Sequence, residues 1–139
     1  MTKNVRIHIK GIQADMDGEA IELTVPGTYY CKEGKHYIFY EEQQEGFAEG
    51  SKCQLRLQDA TCLEILKKGL ANMHMVLDVR QMTRTVYSTP YGQFELEIHT
   101  KNLEVRESER EISIQAVYNM DADGSLITRS EIEICIEAI

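Results

Sequence analysis

The chain has no tryptophan, only two prolines, and no basic run longer than Lys67-Lys68. Its four cysteines, Cys31, Cys53, Cys62 and Cys135, show no CxxC spacing. Each shortage excludes a class of protein. Without clustered Lys and Arg, and with a net charge of -8, the surface repels a phosphate backbone and an anionic bilayer, so neither nucleic acid nor a membrane is expected as a partner. No apolar run reaches the ~18 residues that a membrane helix needs. The opening segment, residues 1–10, alternates polar and apolar residues where a secretory signal needs an unbroken apolar stretch. The expectation is a soluble cytoplasmic protein with reduced, mostly buried thiols. A zinc site assembled from the cysteines with His8, His36, His74 and His99 has no support in their spacing.

What is present is alternation. Val5, Ile7 and Ile9 alternate with Arg6, His8 and Lys10, and Ile21, Leu23 and Val25 with Glu22 and Thr24, which is the period-2 pattern of strands with one buried face. The same pattern returns at Cys53 to Gln58, Met73 to Val79, Phe94 to His99, Ile112 to Tyr118 and Glu131 to Ala138. Residues 63–68 have helix-favouring composition but are too short to hold a helix alone, and are read as strand. Turn signals separate the runs: Asp15 to Gly18, Pro26-Gly27, a three-residue loop Glu33-Gly34-Lys35, Pro90-Tyr91-Gly92 and Asp121 to Gly124. Residues 43–50 read as a polar loop anchored by Phe47. With no linker and no amphipathic helix, the 139 residues form one all-β domain, a single antiparallel, mostly up-and-down barrel of about eight to ten strands.

Two segments leave direction open. In the Tyr29 to Tyr40 hairpin, aromatic residues fall on both parities. Arg84 shares parity with Met82 and Val86; if that face is inward the guanidinium needs a carboxylate or ligand, whereas Thr83, Thr85 and Tyr87 inward puts Arg84 in water, the parity favoured here.

Motifs for chemistry are scarce. Asn119 to Leu126 places oxygen side chains at the first, third and fifth positions of a calcium loop, yet Ser130 stands where a bidentate carboxylate is required and the flanks alternate like strands. A β-turn accounts for the same residues, as it does for Asp15 to Gly18. HExxH, GxSxG, GxGxxG and the P-loop pattern are all absent. Glu95, Glu97 and the glutamates of the last strand read as a solvated face, as do His8, His74 and His99. Hence no catalytic residue, no metal ligand and no cofactor is assigned, and the chain is read as a non-enzyme. The competing reading is a small hydrolase or isomerase working from scattered residues at a barrel mouth, such as Tyr91 with His99.

Tyr40-Glu41-Glu42, then Asn72 to Val76, Thr89-Pro90-Tyr91-Gly92 and Thr100 to Leu103 resemble the YwiB-like family of short bacterial proteins of unknown function, over nearly the whole chain. The resemblance implies a calycin-like, lipocalin-like barrel and conveys no catalytic residue or ligand; the lipocalin tryptophan has no counterpart. Two functional classes follow. A barrel interior lined by Met73 and Met75, by Tyr30, Tyr40, Tyr87 and Tyr118, and by Arg84 on the less favoured parity would suit a small ligand with an apolar body or a carboxylate end. A filled barrel would instead leave outward tyrosines for a homodimer or another protein contact. The carrier is the reading favoured.

Overall fold

In a computed structural model, residues 3–13, 20–42, 50–69, 72–90, 92–122 and 125–139 are described. They form ten strands: β1 Lys3–Gln13, β2 Ala20–Lys32, β3 Lys35–Glu42, β4 Ser51–Asp59, β5 Cys62–Gly69, β6 Met73–Asp78, β7 Thr83–Thr89, β8 Gly92–Glu107, β9 Glu111–Ala122 and β10 Ser125–Ala138. All pair antiparallel in one sheet of order β6-β5-β4-β3-β2-β1-β10-β9-β8-β7, a meander in which the first and last strands pair. The Asp15 to Gly18 turn, Phe47 and its loop, Tyr91, and residues 123 and 124 lie outside the described residues.

The alternation of the sequence becomes an inside and an outside. Ile7, Ile38, Leu55, Leu63, Leu77, Ile98, Ile114 and Ile134 are wholly or almost wholly buried and join one contiguous core. Burying such a side chain contributes roughly 1.5–3 kcal/mol, so each strand is held chiefly by the face it turns inward. The aromatic hairpin resolves in the same way: Ile38 and Tyr40 are inward, while Tyr37 and Phe39 stack on Tyr30 outside, with centroids 4.9 and 5.6 Å apart. Residues 63–68 lie within a strand, and their inward Leu63 and Ile65 are buried.

Local differences from the sequence reading have clear causes. Pro26-Gly27 does not end a strand, since β2 runs through it. A Cβ at Gly27 would lie 2.5 Å from Ile7 Cδ1 and from the Phe39 carbonyl oxygen, so glycine is what lets Ile7 and the neighbouring strand come this close. The β2–β3 loop has two residues, because Lys32 pairs with Lys35. Glu33 and Gly34 take φ of 54° and 79°, the left-handed pair that matches strand twist in a tight hairpin. In β8 a bulge between Thr100 and Asn102 reverses the alternation: Ile98 faces in before it, and Leu103 and Val105 pack on the core after it.

β6 and β7, consecutive in sequence, are the two edges of this sheet, and they meet without a ladder. A single bridge pairs Asn72 with Ser88, each N–H donating to the other's carbonyl at 2.9 Å. Elsewhere side chains span the gap: Thr83 Oγ1 donates to the Val76 carbonyl and Thr85 Oγ1 to the His74 carbonyl, both at 2.6 Å. The turn between them is organised by Asp78, whose carboxylate accepts from the Arg80 N–H at 2.9 Å, from its Nε at 3.1 Å and from Gln81 Nε2 at 3.3 Å. Hydrogen bonds from Arg80 hold that carboxyl below its ordinary value. The barrel is nearly closed, and hydroxyls substitute for amides along its seam.

Thr85→Val should therefore cost about 1–2 kcal/mol in urea unfolding, because it is nearly isosteric and leaves a carbonyl without its donor. Amide exchange should accelerate selectively in β6 and β7; uniform exchange across the barrel would contradict the role given to the hydroxyl.

Candidate functional site

An up-and-down barrel has two mouths, and the one carrying the β2–β3, β4–β5, β6–β7 and β8–β9 connections is the fully described one. Three inward side chains converge there from opposite walls of the bore. Tyr29 on β2 and His36 on β3 stack with centroids 5.7 Å apart, and Tyr29 OH lies 2.6 Å from His36 Nδ1. His36 Nε2 lies 2.7 Å from Glu107 Oε1, at the end of β8. Glu107 is inward because of the Lys101 bulge; an unbroken alternation from Ile98 would put it on the outer face.

A carboxylate only accepts, so in the neutral imidazole Nε2–H donates to Glu107 and Nδ1 accepts from the phenol. Burial, together with the neighbouring Cys31 and Glu107, pushes the Tyr29 phenol up to about 12. Only 15% of the His36 side chain is exposed. Beneath the chain lies a cavity of about 90 Å³ whose apolar lining includes Val5, Ile112, Ile136 and Ala138, with Lys3 and Arg110 on its polar rim. With both imidazole nitrogens engaged and the phenol neutral, the arrangement is built to hold hydrogen-bond positions.

The residues anticipated from sequence are distributed differently. Tyr40, Met75 and Tyr118 belong to the buried core and Met73 packs against it. Burial raises the Tyr118 phenol, partly offset by its hydrogen bond with Ser130, and burial strongly raises that of Tyr40. Near Tyr40, Lys67 Nζ and Glu42 Oε2, 3.1 Å apart, form a partly buried ion pair. Tyr87 is half-buried and faces Phe94 across the β7–β8 pair. Arg84 lies on the outer face, 75% exposed, with Nη2 3.6 Å from Glu97 Oε1. The outward parity favoured from the sequence is the one observed, with Thr85 buried on the inward parity, so Arg84 is corrected out of the set lining the bore.

Tyr29, His36 and Glu107 were missed as a group. His36 shares parity with Ile38 and Tyr40, and the apolar positions of β8 change from even to odd after Thr100. Those two signals place both residues inward; their meeting across the bore has no sequence signature.

Three comparisons bear on this geometry. The family described as "Domain of unknown function (DUF1934)" matches residues 7–134. A curated relative, "Uncharacterized beta-barrel protein YwiB" of Bacillus subtilis (strain 168), is 27% identical over 118 residues, covering 84% of this chain and 80% of that protein. The solved structure described as "Crystal structure of ywiB protein from Bacillus subtilis" superposes with a TM-score of 0.86 over 99% of this chain and 93% of that one, at 22% identity, a likeness of fold.

Removing the phenol gives a direct check. In an ultraviolet pH titration, Tyr29→Phe should delete a tyrosinate transition near 12 and leave the remaining transitions unchanged. Because the folded value is raised, Tyr29 contributes stability below the unfolded value of about 10. That contribution is lost as pH rises from 10 towards 12, so the variant should lose less stability than the parent across that window. Equal losses would contradict a desolvated Tyr29.

Proposed function

The chain belongs to the family described as a domain of unknown function, DUF1934, and from that premise we propose that it is a non-enzymatic, cytoplasmic barrel that binds a small, largely apolar molecule with a polar end at the Tyr29–His36–Glu107 mouth. The observation that carries this reading is the part-buried Tyr29–His36–Glu107 hydrogen-bond chain lining a partly apolar cavity of about 90 Å³. Enclosed ligand pockets commonly run ~300–1,000 Å³, so this one takes the end of a molecule. The polar end would meet Lys3, Arg110 or the rim of the chain, and the apolar segment would rest on Val5, Ile112 and Ile136.

No helix among the described residues is long and apolar enough to cross a membrane, a fact silent about barrels. The outward parity speaks to the barrel itself: Arg6, Glu22, Glu131, Glu133 and Glu137 are exposed while the aliphatic residues point in, the reverse of a lipid-facing barrel, which supports an aqueous surrounding such as the cytoplasm.

Hexanoate and hexanol serve as matched probes in two-dimensional NMR titrations. Amide shifts concentrated at Lys3, Val5, His36 and Ile112 are expected with at least one probe, and the preferred probe identifies the polar end. Ala138→Phe should fill the cavity and abolish the shifts. No localised perturbation at millimolar probe would overturn the proposal.

A second reading has one observation in its favour. The outward stack of Tyr30, Tyr37 and Phe39 is extended by the Arg56 guanidinium, 5.6 Å from the Tyr37 centroid. It adjoins an open groove of about 500 Å³ lined by Pro26, Thr28, Phe39, Glu41 and Lys52. Aromatic and Arg side chains of this kind are enriched at interfaces, and a second copy of the chain is the partner this surface suits. Sedimentation velocity should then show a concentration-dependent dimer that Tyr37→Glu disperses; a monomer at all concentrations removes this reading.

A further inference from the structure

Sheet register, operating on the outer face of β8 and β9, brings four donor side chains into a square. Glu97 is directly opposite Asp121, and His99 directly opposite Asn119. All four lie on the outward parity, because Ile98 and Tyr118 beside them are buried inward. His99 Nε2 is 3.3 Å from Asp121 Oδ2 and 3.9 Å from Glu97 Oε2. One ligand atom from each of these three residues fits within 4.8 Å of the others.

The balance of donors and acceptors is uneven. Two carboxylates face each other across a strand pair, where like charges are destabilising. The Oδ1 atom of Asn119, the residue opposite His99, is itself buried and has no hydrogen-bond partner, and a buried acceptor left unpaired is costly. One imidazole cannot serve three acceptor groups at once. Arg84 engages the outer oxygen of Glu97, Oε1, at 3.6 Å, leaving Oε2 directed to His99. Arg84 thereby neutralises part of the charge from the neighbouring strand.

We propose that Glu97, His99, Asp121 and Asn119 form a binding site for a divalent first-row transition-metal ion, with two carboxylate oxygens, one imidazole nitrogen and one amide oxygen as ligands. A cation at the centre separates the opposed carboxylates, gives Asn119 Oδ1 its partner and accepts the imidazole lone pair. Nitrogen and oxygen ligands in this ratio suit Mn2+, and also Zn2+, better than the all-oxygen shells of calcium. The site requires no backbone change, since all four ligands stand on two strands already paired in register.

Mn2+ is the probe of choice, because four reduced cysteines would compete for zinc. Water-proton relaxation should reveal one Mn2+ site per chain, and paramagnetic broadening should centre on the amides of Ile98 and Met120. Asp121→Asn and His99→Ala should each weaken binding about tenfold or more, with thermal melts verifying that both variants fold. His8→Ala, which removes a surface imidazole on β1 near Glu22, should leave binding unchanged. Absence of binding at millimolar Mn2+, or binding that survives both site variants, would overturn the proposal.

Discussion

Everything in this barrel depends on two sheet edges finding each other. A meander of ten strands has an edge at each side, and exposed edges invite pairing with other chains. Here the edges are β6 and β7, and what joins them is one backbone bridge and two threonine hydroxyls. Threonine suits both tasks: its branched side chain favours strands, and its hydroxyl reaches a carbonyl that the splayed neighbour's amide cannot. If that junction opened, the inward residues of β6, among them Met75 and Leu77, would face water, and the core would lose a wall.

Closure also makes the mouth chemistry. Glu107 and His36 stand on strands separated by four others around the sheet, β9, β10, β1 and β2, yet their side chains meet at 2.7 Å. Only a closed wall brings them together, and only the bulge in β8 turns Glu107 inward to use that closeness. The mouth thus combines a feature of topology with a feature of local backbone.

Much of this architecture was legible because it rests on a period of two. Runs such as Ile112 to Tyr118 and Glu131 to Ala138 declare their inward faces directly, and both become strands with those faces buried. Legibility failed where both faces carry apolar residues, as in the Tyr29 to Tyr40 hairpin, since alternation then has no contrast to read. It failed again where the backbone breaks its own rhythm, at the Lys101 bulge and at Gly27. The square on β8 and β9 was hidden for a third reason. His99 and Glu97 read as a wet surface when viewed along one strand, and Asn119 and Asp121 resembled part of a turn; pairing between the strands is what makes them one group.

The pairing of β1 with β10 carries a consequence for how the chain is threaded. The strand order around the sheet is the sequence order cyclically shifted, with the shift placed between β6 and β7. Ile139 donates its backbone N–H to the Asn4 carbonyl at 3.2 Å, so residues 4 and 139 are already neighbours. A circular permutant that links these ends and reopens the chain within residues 79–82 would read β7 to β10, then β1 to β6. Every ladder would then connect consecutive strands, and the contact of greatest sequence separation, β1 on β10, would become a hairpin. Since folding rates fall as contacts become less local, the permuted chain should assemble its wall faster, with the burden of non-local closure confined to the threonine-bridged seam.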